Sequence, residues 1–216
     1  MQSFPNSPHI VKGGIVLIDP DSSAIKRIIT LQYNPDTLTR SLQVKGVGGD
    51  GGNRSEALRL TGPPVETIKL EAEIDATDQM EMGDTLTANV GIQPQLSVLE
   101  TIVYPTSDHL IFNNSMSQSG SLEIVPMETD LTLFIWNKNR IIPVRIAEFS
   151  IIEEAFDTNL NPIRAKVTLN MRVLSVDDLD FAHKGGALFM SYQQNKEKLA
   201  GMFRGGNLGD LGINSI

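Results

Sequence analysis

From Ile163 to Val173 the chain alternates without a break: Ile163, Ala165, Val167, Leu169, Met171 and Val173 are apolar, and Arg164, Lys166, Thr168, Asn170 and Arg172 between them are polar. A strand points successive side chains to opposite faces, so this pattern places one face on a core and the other in water or against a polar partner. That is the habit of an antiparallel sheet, since parallel strands are covered on both faces and read as continuous apolar runs. The same period recurs at Ile68, Leu70, Ala72, Ile74 and Ala76, set between Thr67, Lys69, Glu71, Glu73 and Asp75. Upstream of the first ribbon, Leu131–Trp136 is rich in β-favouring residues, Asn137–Asn139 turns the chain, and Ile141–Ile152 runs on extended. The turn-rich Asp157–Pro162 then leads into Ile163. Two half-apolar ribbons predict a mainly β fold, an antiparallel β-barrel or sandwich.

At 216 residues the chain can bury a sizeable core without staples. It has no cysteine, which removes disulfides and thiol catalysis. A net charge of −8 argues against nucleic acid, whose phosphates call for clustered Lys and Arg. Nowhere do about 18 apolar residues run together, so direct membrane insertion is not expected. Met1–Ile10 lacks a basic start and an apolar stretch, and synthesis and assembly in the cytoplasm are expected.

In chain order, His9–Asp19 predicts a first strand interrupted at Gly13 and Gly14, and Ile25–Tyr33 a second. Asn34-Pro35-Asp36 breaks the run, and Leu38–Lys45 resumes as an extended arm. Gly46–Gly52 holds five glycines in seven residues, and it matches G-x-G-x-x-G at Gly46, Gly48 and Gly51. That fingerprint needs a strand before it and a helix after it, whereas Arg59–Pro64 leads to another strand, so a mobile hairpin tip is expected and no cofactor. Asp75, Asp78, Glu81 and Asp84 recur at every third residue, which is not the alternate-position oxygen pattern of a calcium loop, and a solvated face is expected. Gln95–Tyr104 carries Leu96, Leu99, Ile102 and Val103 at helical spacing, the one internal helix predicted, expected to plug a barrel end or cover a sheet. Asn113–Gly120 reads as a surface loop, and Ser175–Asp178 as a capped helix start. Leu188, Phe189, Tyr192, Leu199, Met202 and Phe203 share one side of a C-terminal helix, and Gly205–Ile216 reads as a flexible tail.

Catalytic patterns are missing from the sequence. His9, His109 and His183 lie in separate segments, none at metal-ligand spacing with a carboxylate, so no metal is expected. There is no G-x-S-x-G and no G-K-[ST]. Glu153 and Glu154 are adjacent in an extended segment and face opposite ways, unlike a glycosidase pair. Trp136, beside Leu133 and Phe134, reads as a core anchor.

Several stretches together resemble a known family. They are Tyr33-Asn34-Pro35-Asp36-Thr37-Leu38-Thr39-Arg40, Thr61-Gly62-Pro63-Pro64-Val65-Glu66-Thr67, Asp75-Ala76-Thr77-Asp78, Tyr104-Pro105, and above all Ile142-Pro143-Val144-Arg145-Ile146 followed by Glu153 through Ala165. In this order they resemble the tube-like domain of contractile injection system baseplates, in particular the adaptor that joins inner tube to spike in phage-tail-like particles. The resemblance spans about Ile15–Leu174. It implies a non-catalytic structural protein forming a sixfold ring of identical subunits, with inner tube protein above, spike protein below and baseplate or sheath proteins alongside. The particle itself could be cytoplasmic, membrane-anchored or released. An inner-tube or tube-initiator ring subunit is the nearest alternative, and a monomeric ligand-binding β-barrel is another. The chain departs from the family at its end, where members continue into a LysM module and this one has a helix and a glycine-rich tail. The expected organisation is therefore a tube-like domain over residues 1–180 and a terminal segment over 181–216. Candidate interface residues are Leu38 and Arg40 on the arm, Gly46, Gly48 and Gly51 in the glycine loop, Asn159 and Asn161 in the connecting motif, and Leu188, Tyr192 and Leu199 on the terminal helix.

Overall fold

The structure is a computed structural model that describes residues 10–46, 59–118 and 129–215. Seven strands form one sheet: β1 Gly14–Ile18, β2 Ile25–Thr30, β3 Leu38–Gln43, β4 Val65–Asp75, β5 Leu131–Asn137, β6 Arg140–Phe156 and β7 Pro162–Val173. Their order is β2-β1-β5-β6-β7-β4-β3, and every pairing is antiparallel. The two alternating ribbons are neighbours rather than halves of separate sheets. Ile68 lies opposite Met171, Leu70 opposite Leu169, Ala72 opposite Val167 and Ile74 opposite Ala165. This register aligns both apolar series on one face, which is what fixes it, because a slip of one residue would turn each series toward water.

The expected antiparallel β architecture is present, but the barrel or sandwich is not. The sheet curls without closing, and its end strands β2 and β3 are not paired to each other. At one point the curl brings the two sides close: the Gln32 side-chain amide donates to the Asp75 carbonyl (2.6 Å) and its oxygen accepts from the Asp75 N–H (3.0 Å). A single side chain thus plays the part of a backbone partner where the strand after β2 would have met β4. Irregular pairings within β6, between Ile146 and Glu148 and again near Ala155, accompany the bend of the long central strand.

The concave face holds the main core. Ile15, Leu17, Ile68, Leu70, Phe134, Ile142, Val167, Leu169 and Met171 are all buried there, and helices supply the rest. Among the described residues four internal helices are present where one was expected: α1 Thr77–Glu81, α2 Thr85–Val90, α3 Gln93–Glu100 and α4 Ser107–Gln118. The expected helix is α3, which ends at Glu100 in a run of turns and covers the core with Leu96 and Leu99. The acidic triplet series falls on α1 and its flanks, and α1 buries nothing, as a solvated face would. The loop expected from Asn113 belongs instead to α4, whose residues are all partly or fully exposed. Ser175–Asp178 is a tight turn rather than a helix start: the Asp178 carboxylate accepts from the Ser175 N–H (3.0 Å) and, through Arg172, ties the turn to β7. The C-terminal helix, α5 Lys184–Ala200, is present as expected and buries Phe189 and Tyr192 in the main core.

β1 is buried on both faces, and its apolar run Ile15–Ile18 shows why alternation is absent there. Val16 and Ile18 join Leu131 and Leu133 in a second, smaller cluster, packed under Leu174, Leu179 and Leu188. Trp136 is half-buried against the main core, with its ring 6.0 Å from that of Phe134. The tail is not featureless: Asn207 and Asp210 form a reciprocal capping box around a short 3-10 turn at Leu208–Leu211.

Candidate functional site

Two features of this sheet face outward in a way suited to contact: its end strands and the convex side of β4 and β7. β2 is exposed over nearly its whole length, with Ile25 at 64% and Ile28 at 61%. β3, at the other end, leads into exposed Val44, and the hairpin it forms with β4 extends outward through the pairing of Gly46 with Leu60. Each outer edge presents a row of backbone N–H and C=O groups to whatever comes next. On the convex side the basic residues of β7 form a ladder of ion pairs with three neighbours: Arg164 with Asp75 of β4 (2.7 Å), Lys166 with Glu154 of β6 (2.8 Å) and Arg172 with Asp178 of the following turn (2.6 Å). Thr77 and Arg164 hold the Asp75 carboxyl below the usual carboxylate range, and Glu154 raises the Lys166 ammonium.

A third feature lies inside. Glu66 is 3% exposed and sits on the core face of β4, in the same register as Ile68 and Leu70. One of its oxygens accepts from Arg40 Nε (2.8 Å) and from the Tyr192 hydroxyl (2.9 Å), and the other from Lys196 Nζ (2.9 Å). Arg40 Nη2 also donates to the Tyr192 hydroxyl (2.9 Å), and the Lys196 ammonium lies 3.9 Å over the tyrosine ring. Burial by itself would push the Glu66 carboxyl up, but hydrogen bonds and charge from Lys196 and Arg40 bring it below its ordinary value. Burial and the Glu66 charge push the Tyr192 phenol up. The carboxylate thus joins β3, β4 and α5 at one point.

The β6–β7 connection is also built from side chains. The Asp157 carboxylate accepts from the N–H groups of Asn159 (2.7 Å) and Asn161 (2.8 Å) and from the Asn161 amide (2.8 Å), which holds it below the usual range. Asn161 also donates to the Asn89 carbonyl (3.0 Å), and the Ile92 N–H donates to the Pro162 carbonyl (2.8 Å). These contacts fix α2 and α3 against the end of the sheet. Gly91 permits the approach, since it has φ +59° and a Cβ there would run into the Pro162 oxygen.

The residues singled out in the sequence fall in four places. Leu38 and Arg40 lie on β3 opposite Leu70 and Ile68. Asn159 and Asn161 organise the loop just described. Leu188 packs on the second cluster, Tyr192 is buried, and Leu199 is 51% exposed. Arg40 and Tyr192 are brought together, but by a contact within the chain. Gly46 bridges Leu60, whereas Gly48 and Gly51 lie outside the described residues. Glu66 was missed, although a carboxylate two residues before Ile68 in an otherwise apolar register is a readable signal. Of the histidines, His183 caps α5, its ring nitrogen accepting from the Gly185 N–H (3.0 Å), His109 lies on α4, and His9 is outside the described residues. Among the described residues no group of three or more His, Asp or Glu side chains could hold a metal ion, and no helix is long and apolar enough to cross a membrane. Against known proteins, the chain matches no family model and no curated protein.

Proposed function

We propose that this chain is a structural ring subunit of a contractile injection system baseplate, joining an inner tube to a spike, and that it works by side-to-side contact rather than by catalysis. The observation that carries the reading is the open sheet. A curled antiparallel sheet whose two end strands have outer edges unpaired among the described residues, with exposed apolar side chains on one and a projecting hairpin on the other, is a hazard for a solitary protein. A closed ring of copies removes that hazard, because each copy's two ends meet those of its neighbours. The motifs around Tyr33–Arg40, Thr61–Thr67 and Glu153–Ala165 support the same reading by resemblance, and they occupy structural positions here: the start of β3, the start of β4 and the β6–β7 connection. In the ring, the convex polar side chains of β4 and β7, Lys69, Glu71, Lys166 and Arg172 among them, line an aqueous lumen.

The test is co-purification of the full chain with the tube and spike proteins of its own particle. Binding at micromolar concentration is expected, as for an interface of roughly 1,600 Å². A chain that binds neither protein under those conditions would exclude the adaptor role.

A further inference from the structure

Two strands outrun the sheet that carries them. β7 runs beside β4 only from Thr67 onward, although β4 begins at Val65. The pairing of β3 with β4 continues past that point: Leu42 lies opposite Glu66, Gln43 opposite Val65, the Thr61 N–H donates to the Lys45 carbonyl (3.0 Å), and Gly46 bridges Leu60. A two-stranded hairpin standing alone is marginally stable in water, so this part of the pair needs a seat. Apolar packing supplies little of one on the β3 side, where Leu42 is 49% exposed. Polar groups hold the hairpin instead, and among the described residues their partners outside it all lie in the stretch that follows β7. Arg40 donates to the Tyr192 hydroxyl, Glu66 accepts from Tyr192 and Lys196, and Lys45 Nζ pairs with the Asp177 carboxylate (2.7 Å). Gly62 lies against the same carboxylate, since a Cβ there would stand 3.1 Å from it. The turn that carries Asp177 is itself tied to β7 through Arg172 and Asp178.

We propose that the Tyr192–Lys196 turn of α5 and the Ser175–Asp178 turn act together as a latch that sets the direction of the projecting hairpin, so that the hairpin swings free when their contacts are lost while the sheet stays folded. The inner contact is the strong one. Glu66 is 3% exposed and gathers Arg40 from β3 and Lys196 from α5 onto one carboxylate, so the hairpin cannot leave α5 without depriving a buried charge of a partner. The Lys196 ammonium also lies over the Tyr192 ring, which keeps both groups on one turn of the helix. The outer contact, Lys45 with Asp177, is partly open to water and contributes less by itself. Its place is geometric, because one anchor leaves a pivot and two define a direction. The inference concerns the free chain and stands apart from the ring reading.

The chain has no cysteine, so a pair of introduced ones can be spin-labelled without background. Leu60→Cys on the hairpin and Ile152→Cys on β6 use positions that are 69% and 58% exposed. A single narrow distance between the labels is expected in the full chain. Tyr192→Phe combined with Lys196→Gln strips α5 of its polar hold on the hairpin and keeps the ring in the core. The narrow distance should then give way to a broad distribution, with amide exchange across β7 still slow. Lys26→Gln, which breaks ion pairs elsewhere on the sheet, should leave the distance narrow. Asp177→Asn alone removes the outer anchor at a partly exposed position and should broaden the distance as well, so it decides the matter if the double variant fails to fold. A distance already broad in the unaltered chain, or one that stayed narrow in either latch variant, would overturn the proposal. So would broadening that came only with fast exchange in β7, or that Lys26→Gln produced equally.

Discussion

Glu66 is a buried carboxylate on β4 that binds Arg40 on β3 and Tyr192 and Lys196 on α5. Removing it would leave Arg40 and Lys196 facing a buried, apolar surround. Breaking a fully buried pair costs about 3–5 kcal/mol, but both cations retain some contact with water, so a loss of about 2–3 kcal/mol is expected for Glu66→Ala. Thermal or urea unfolding of the variant measures it. The pH dependence has a definite sign. The folded-state value of Glu66 lies below its ordinary 4.5, so its contribution is complete above 4.5 and is lost as pH falls through the depressed value. The stability gap between the native chain and Glu66→Gln should therefore be full at neutral pH and shrink only in acid below that point. A gap that stayed constant down to strong acid would show that the carboxylate charge does not hold the cluster together. The partnership of Glu66 with Tyr192, 126 positions away, has no local signature. What the sequence did carry was the position of a carboxylate within an apolar series.

At the scale of elements, α5 divides into a half that belongs to the core and a half that faces outward. The first half is part of the core through Phe189 and Tyr192, with Leu188 on the second cluster, while Leu199 and, beyond the helix, Met202 and Phe203 are exposed. Truncation after Asp180 should therefore destabilise the chain, by about 3–6 kcal/mol if Phe189 and Tyr192 each contribute a typical buried side chain. Leu199→Ala should change stability by less than about 0.5 kcal/mol. A truncated chain melting at the native temperature would mean that the helix is not integral to the fold. The alternating ribbons were legible because a strand with one dry face must repeat every two residues, and β6 and β7 lie where that period and the turn at Asp157–Pro162 put them. α4 was not legible: Leu110, Ile111 and Phe112 are consecutive rather than spaced by three and four, and Asn113, Asn114 and Ser115 read as turn formers. A helix that buries no residue writes no periodicity into its sequence. The C-terminal glycines hid the capped turn at Leu208–Leu211 for a related reason, since its hydrogen bonds come from two polar side chains.

For the whole molecule, the difference between an open and a closed sheet was beyond reach of the pattern, because the period of a strand is the same in both. Closure depends on which strands end up beside each other and how far the sheet bends, and here Gln32 substitutes for pairing that never forms. The same openness makes the convex ladder testable separately from the fold. Lys166 and Glu154 pair on a surface with ready access to water, so Lys166→Glu should leave the melting temperature within a few degrees of native, as surface pairs are worth about 0–1 kcal/mol. If the ladder lines a shared lumen, repeating that reversal in every copy should weaken assembly, read by sedimentation, and restoring the balance with Glu154→Lys should recover it. A stable, fully assembling Lys166→Glu chain would place the ladder away from contacts between copies.

The native mass of the full chain, alone and mixed with tube and spike proteins over a range of concentrations, bears on the ring most directly. A single chain of 23.6 kDa that converts to a closed species of six copies, with or without partner chains attached, is the expected result. A lone 23.6 kDa species at every concentration and with every partner would contradict it.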